Sequence, residues 1–245
     1  MREERLLSMV SLLKKRGYMN IGELAEAFNV STSTVRRDLA ELSARNLVAS
    51  TKSGAVPIAE NKIDTPLNYR SRINSLAKAA IARSAISLVR EGDTVYLDSS
   101  STVLQLAAAL RSMRSITVVT NGLMTVKQFR GTMLPVYLIG GEISELSYGF
   151  YGPIAEEALR MFHFDIAFFS PVGVTARNDV VEIVEEAATI RRAAMRQARS
   201  NVLLFDHTKI GVDHAFSFAK LDEFDHLVTD GRRYTFDTKA AVHYA

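Results

Sequence analysis

Residues 94–102 read TVYLDSSST, an apolar run that ends on a carboxylate, three serines and a threonine. Hydroxyls and amides gathered where a strand gives way to a helix make a cradle for an anion. The first N–H groups of a helix lack intrahelical acceptors, and its dipole favours negative charge there. Taken alone, the stretch also fits a serine nucleophile or a polar turn. Three other apolar runs close on comparable groups: Thr120 and Asn121 end ITVVTN, Gly140 and Gly141 end VYLIGG, and Lys209 follows NVLLFD in DHTKIG. Each is ordinary by itself. Their shared position marks Asp98, Ser99, Ser100, Ser101, Thr102, Thr120, Asn121, Gly140, Gly141 and Lys209 as candidate contacts to a small polar anion.

Catalysis is the competing chemistry. An isomerase moving a proton between adjacent carbons needs a positioned base, and Asp98, Asp206, Glu185 and Glu186 are candidates. Orienting roles for the two aspartates and a solvated helix for the two glutamates account for them more simply. No G-x-S-x-G elbow surrounds Ser99–Ser101, and none of the five histidines is assignable as a partnering base. His207, His214 and His226 follow no zinc spacing, so neither a metal nor another cofactor is expected.

A second hydroxyl cluster, Ser31, Thr32, Ser33 and Thr34, is followed by Arg36 and Arg37. Hydroxyls and amides opening a helix suit phosphates, and an arginine fork one turn later suits guanine edges in a major groove. The elements needed to present them are legible. Leu6, Met9, Val10 and Leu13 predict a helix over 2–16, ended by KKRG; Asn20 with Glu23 caps a second, carrying Ile21, Leu24, Ala25 and Phe28; Ser31 caps a third, carrying Val35, Leu39 and Leu42. Two short helices joined by a tight turn form a helix-turn-helix, with a small three-helix packing unit as the alternative.

The first 56 residues hold nine Lys/Arg against six Asp/Glu, whereas the rest of the 245-residue chain balances 21 against 21, so the net +3 lies in the first quarter. That asymmetry directs the search for an anionic partner to the N-terminal region. PIAENKIDTPLNYR, at 57–70, breaks all periodicity and reads as an interdomain connection. Beyond it, TVYLD, ITVVTN, VYLIGG, FDIAFFSPVG, NVLLFD and DHLVTD alternate with helical patterns, predicting a mainly parallel sheet covered on both faces. Ligands bind such sheets beyond the carboxyl ends of the strands, where the candidate residues fall. With 47% apolar and 23% charged residues, no run near the roughly 20 apolar residues a membrane span needs, no export signal and no cysteine, the chain reads as a folded cytoplasmic protein without a membrane partner.

The run IGELAEAFNVSTSTVRRDLAELSARNLVA resembles the N-terminal domain of DeoR-type bacterial transcriptional repressors, through Val30, Ser31, Thr34, Val35, Arg36, Arg37, Asp38 and Leu39. The wing that follows departs from the family, since STKSGAV keeps only Gly54 and Ala55 of a His-Gly-Gly-Ala-like stretch, leaving Lys52 as a candidate phosphate contact. YLDSSST, VVTNG, LIGGEIS, FDIAFFSPVGVT, LFDHTKIG and HLVTD resemble, in order, the family's sensor domain. The resemblance implies an α/β protein: a winged helix-turn-helix over 1–57, a linker over 58–73, and a Rossmann-like sensor over 74–245 resembling the ribose-phosphate isomerase and CoA transferase-like superfamily. It implies a DNA-binding regulator, not an enzyme, that contacts operator DNA through Ser31, Thr32, Ser33, Thr34, Arg36, Arg37 and Lys52. The expected effector is a phosphorylated sugar or related metabolite, with repression of a carbohydrate operon as the output. A sugar-phosphate isomerase carrying a DNA-binding module is the alternative. Short recognition helices read few base pairs, so a dimer or tetramer is expected. Ser100 stands where the family commonly has glycine, and Ile190 where it has lysine, with Arg191 beside it.

Overall fold

The computed structural model describes residues 2–44, 47–51, 53–57 and 67–245. Lys52 lies outside the described residues, as does most of the expected linker. The chain divides into two compact units, Met1–Ile73 and Asn74–Ala245.

The first unit runs α1 (Arg2–Arg16), β1 (Met19–Asn20), α2 (Ile21–Ala27), α3 (Thr32–Ala44), β2 (Val48–Ser50), β3 (Gly54–Pro57) and α4 (Leu67–Arg70). Leu6, Met9 and Leu13 of α1 meet Ile21 and Leu24 of α2 and Val35, Leu39 and Leu42 of α3 in one core. Fully burying each such side chain contributes about 1.5–3 kcal/mol. Asn20 and Glu23 form a reciprocal capping box, Asn20 Oδ1 accepting from Glu23 N at 2.9 Å and Glu23 Oε2 from Asn20 N at 2.7 Å. The strands pair antiparallel in the order β1-β3-β2, so the wing is present. Gly54 is dictated by packing, because a Cβ there would sit 2.3 Å from the Met19 carbonyl oxygen. The single turn of α4 falls in a stretch that the sequence reads as irregular throughout.

The second unit runs α5 (Ser75–Ala85), β4 (Thr94–Leu97), α6 (Ser101–Leu110), β5 (Thr117–Thr120), α7 (Leu123–Gln128), β6 (Val136–Leu138), β7 (Glu142–Ile143), β8 (Phe150–Tyr151), α8 (Pro153–Leu159), β9 (Ile166–Phe169), β10 (Gly173–Val174), β11 (Asp179–Glu182), α9 (Glu185–Met195), β12 (Asn201–Phe205), β13 (Phe216–Lys220), β14 (His226–Thr229) and β15 (Ala241–Tyr244). Seven of these strands form one parallel sheet in the order β15-β14-β12-β9-β4-β5-β6. The β-branched and aromatic runs supply both of its faces. Val95, Leu97, Ile166, Phe168, Val202 and Leu204 point to one core, and Tyr96, Ala167, Phe169, Leu203 and Phe205 to the other. From β4 the chain winds through β5 to β6 at one edge, then returns to β9 on the other side of β4 and continues outward. The order therefore reverses between β4 and β9, and the loops after these two strands flank the crevice where such sheets take ligands. Strand β15, built from AVHY, is a seventh strand beyond the six apolar runs. At the opposite edge β6 exposes Tyr137 and Leu138, in contrast to the continuous burial expected of VYLIGG.

Candidate functional site

The β4 and β9 loops are tied together by Asp98. Its Oδ1 accepts from Ser100 N at 2.8 Å, and its Oδ2 accepts from Ser170 N and from Arg191 Nε, each at 3.0 Å. Arg191 reaches in from α9, donating through Nη2 to the Ser170 carbonyl at 3.2 Å. Its Nη1 lies 2.6 Å from Glu182 Oε1, an ion pair by distance without an aligned hydrogen bond. Burial pulls the guanidinium pKa down, and the charges of Glu182 and Asp98 more than reverse this, leaving it raised. Tyr96, beneath the loop, has its hydroxyl pKa pushed well up, first by burial and then by the Asp98 charge.

Helix α6 starts at Ser101 with Ser100 as its N-cap, the Ser100 hydroxyl accepting from Val103 N at 3.3 Å. The backbone N–H groups of Ser101 and Thr102 have no acceptor among the described residues. Two ammonium groups converge on this turn. Lys78 of α5, only 4% exposed, donates to the Ser101 hydroxyl at 3.1 Å. Lys209 donates to the Ser170 hydroxyl at 2.8 Å, which in turn donates to Thr102 Oγ1 at 3.1 Å. Asp206 lies beside them: burial raises its pKa, but Lys209, the Thr208 hydroxyl and Lys78 together hold it below the usual carboxylate value.

The other candidates occupy supporting positions. Thr120 donates to the Leu97 carbonyl at 2.6 Å and accepts from Gly122 N, while Asn121 bonds the Tyr96 hydroxyl and the Phe150 carbonyl. Both side chains are engaged in holding the loop after β5. The close approach expected of the glycine pair is made by Gly141, at φ +142°, where a Cβ would lie 2.4 Å from the Tyr151 carbonyl oxygen; a Cβ on Gly140 would meet nothing within 4 Å.

In the first unit, Ser31 accepts from Thr34 N at 3.2 Å and opens α3. Ser31, Thr32, Ser33, Arg36 and Arg37 are exposed and Thr34 is half-buried. Asp38, from the same arginine-aspartate run, turns inward and pairs with Arg5 Nε at 2.7 Å, locking α3 to α1.

Residues 5–61 match the DeoR-like helix-turn-helix domain, and residues 73–231 match the DeoR C terminal sensor domain. The chain belongs to the DeoR family. It is 32% identical to the transcriptional repressor AccR of Agrobacterium fabrum, over 96% of this chain and 93% of that one. Identity is also 32% to the HTH-type transcriptional repressor GlcR of Bacillus subtilis, over 93% and 88%, and to the lactose phosphotransferase system repressor of Staphylococcus epidermidis, over 93% and 91%. Among solved structures, a ribose 5-phosphate isomerase from Methanocaldococcus jannaschii overlaps 56% of this chain and 55% of its own, with 17% identity and a TM-score of 0.42.

This DeoR chain is a DNA-binding regulator rather than an enzyme, and the four candidate bases are placed accordingly. Asp98 has both oxygens occupied by two amides and a guanidinium. Asp206 caps the turn His207–Lys209 and accepts from Asn74 Nδ2 at 3.1 Å. Glu185 and Glu186 are exposed in the first turn of α9, where they complement the helix dipole. His226 pairs with His243 at 3.1 Å, and among the described residues no group of three His, Asp or Glu could hold a metal.

Lys78, Arg191, Glu182, Ser170 and Tyr151 join the site without having been singled out as contacts from the sequence. A signal was available for two of them. Lys78 shares a helical stripe with the buried Ile81, Ala82 and Ala85, and Arg191 with Ala187, Ala188, Ala194 and Met195. A charge in register with an apolar stripe must be paired inside the fold.

Proposed function

We propose that this DeoR-family protein is a repressor of a carbohydrate-related operon whose C-terminal domain binds a phosphorylated sugar or related metabolite. The observation that carries the reading is the buried Lys78 ammonium on the first turn of α6, at the reversal of strand order. A deeply buried lysine that donates to a hydroxyl on the first turn of α6, in the field of Asp206 and near a second lysine and two helix-end amides, suits a phosphate dianion. Ser101, Thr102, Lys78 and Lys209 are the direct contacts in this proposal. Asp98, Ser99, Ser100, Thr120, Asn121, Gly140 and Gly141 shape the surrounding loops. Similarity to a lactose phosphotransferase system repressor favours carbohydrate control.

Operator DNA is met by Ser31, Thr32, Ser33, Thr34, Arg36 and Arg37, with Lys52 as a phosphate contact from the wing. Two or more copies on repeated half-sites supply the specificity that one short helix lacks. The exposed Tyr137 and Leu138 on the open edge of the sheet suit self-association into a dimer or tetramer. No helix among the described residues is long and apolar enough to cross a membrane, in keeping with action in the cytoplasm.

The test is a thermal-shift screen of the full chain with inorganic phosphate and phosphorylated sugars. A ligand at 100 times its Kd adds about 2.7 kcal/mol of stability. Lys78→Met should abolish that gain while DNA binding without effector persists. A wild-type protein stabilised by no phosphorylated compound, or a Lys78→Met protein that responds like wild type, refutes the reading.

A further inference from the structure

The anion end of the crevice leaves one polar cluster unexplained. Ser99 Oγ lies 2.9 Å from the Tyr151 hydroxyl, which lies 2.9 Å from Ser147 Oγ. Ser147 also accepts from Gly149 N at 3.2 Å. Tyr151 ends the hairpin formed by β7 and β8, and Ser147 sits in its turn, so the hairpin is fastened onto the loop after β4 by hydroxyl groups alone at this point. The contact is close by construction. A Cβ on Gly149 would stand 2.5 Å from Ser99 Oγ and 2.7 Å from the Tyr151 hydroxyl, and one on Gly122 would stand 3.1 Å from Ser99 Cα. The hairpin is bounded by Gly141 at φ +142° and Gly152 at φ +86°.

Three hydroxyls carry three O–H protons, and two hydrogen bonds use two of them. Whichever way the chain is oriented, one proton has no acceptor among the described residues, and several lone pairs have no donor. In the orientation that leaves this proton on Ser99, only 4% exposed, bulk water is a poor substitute for a fixed partner, whereas Tyr151 and Ser147 are half-buried and open to what enters the crevice. Ser99 also precedes Ser101 by two residues, which places it at most about 7 Å along the chain from the amides that open α6. That separation is within the length of one small phosphorylated metabolite.

We infer that Ser99, Tyr151 and Ser147 form the specificity half of the effector site and read an uncharged hydroxyl of the ligand while its phosphate is held at Ser101, Thr102, Lys78 and Lys209. The cluster contains no ionisable acid or base that would pair with a carboxylate or an amine. Arg191, near enough for its charge to interact with Tyr151, is already held by Asp98 and Glu182. The ligand class is therefore a phosphorylated polyol or sugar with a free hydroxyl a few bonds from the phosphate, in preference to a phosphorylated acid or amino sugar. Because the hydroxyl chain also fastens the hairpin, a ligand that inserts into it exchanges a protein–protein hydrogen bond for two protein–ligand ones. This inference rests on the effector reading above and assigns the half of the site that reading leaves open.

The experiment measures Kd by calorimetry on the full chain for inorganic phosphate, glycerol 3-phosphate, a set of hexose phosphates, and the deoxy analogue of whichever hexose phosphate binds tightest. Wild type should bind one hydroxylated compound more tightly than inorganic phosphate and lose about 10-fold affinity for its deoxy analogue, as expected for one hydrogen bond lost in a buried site. Tyr151→Phe should lose a similar factor for the parent compound, bind the deoxy analogue like wild type, and keep its affinity for inorganic phosphate. Ser99→Ala should reproduce the pattern, and the deoxy comparison on wild type stands even if a variant folds poorly. If inorganic phosphate and a sugar phosphate bind but Tyr151→Phe weakens both equally or neither, this inference is overturned and the effector reading survives. If wild type binds no phosphate at all, the effector reading fails and this inference falls with it.

Discussion

Two hydroxyl-rich helix starts lie 68 positions apart in this chain, STST at 31–34 and SSST at 99–102, and they have opposite fates. The first is exposed along α3, with Arg36 and Arg37 projecting beside it. The second is 0–4% exposed, with Val103 and Leu106 carrying the helix into the core. Each uses a serine as cap, Ser31 toward Thr34 N and Ser100 toward Val103 N. Local chemistry is thus the same, and the residues that follow decide its use. Arginines one turn on leave the helix start open to a macromolecule. Apolar residues one turn on draw it into the fold, where every charge brought along must find a partner.

The burial of the second start is sustained by the Asp98–Arg191–Glu182 cluster, so the contrast breaks hardest there. Arg191→Met keeps most of the side chain's volume and leaves two buried carboxylates without their cation. Removing one partner from such a cluster costs about 3–5 kcal/mol. Urea denaturation should show the C-terminal domain melting at much lower denaturant, with its m-value retained. A loss below 1 kcal/mol would mean that the carboxylates reach water or take up protons instead, and that the loop is not held closed by this guanidinium.

On the exposed start the expected effect is smaller and falls on binding. Arg37→Ala should weaken binding to a DNA site selected from a random pool by wild type by about 1–3 kcal/mol, with an unchanged melting temperature. Unchanged affinity at physiological salt would remove α3's exposed face from the interface. A lowered melting temperature would place Arg37 with Asp38, which faces inward, instead of with Arg36.

These contrasts also show where reading the sequence stopped. Periodicity supplied α1, α2 and α3 and six of the seven strands of the large sheet, because apolar spacing reports burial directly. It passed over β15, a four-residue edge strand whose alternation in AVHY is too short to stand out, and it buried β6, whose outer face is open. The candidate site was legible at the β4 loop, where its residues adjoin in sequence. It was not legible where partners come from afar: Arg191 meets Asp98 across 93 positions and Tyr151 meets Ser99 across 52. Periodicity predicts which face of a helix is buried, but not which strand end that face will meet. Asp38, Lys78 and Arg191 each occupy a position in an apolar helical stripe, and that common oddity was the available clue to all three.

The smallest expected effect concerns Ser100, where related sensors commonly carry glycine. Its backbone is extended, at φ −84° and ψ 158°, so nothing in the conformation requires glycine. Its hydroxyl turns back to Val103 N instead of toward the lysines, and at 3.3 Å that bond is long. A cap exchanged for glycine costs a few tenths of a kcal/mol, against about 0.5–2 for alanine, because glycine lets water and the freed amides rearrange. Ser100→Gly should therefore shift the denaturation midpoint barely measurably, Ser100→Ala somewhat more, and both should keep effector affinity within about two-fold of wild type. The two variants separate capping from ligand contact. If affinity instead falls ten-fold in both while stability holds, the Ser100 hydroxyl leaves its cap to meet the ligand, and the buried helix start offers its side chains to a small molecule much as we propose the exposed one does to DNA.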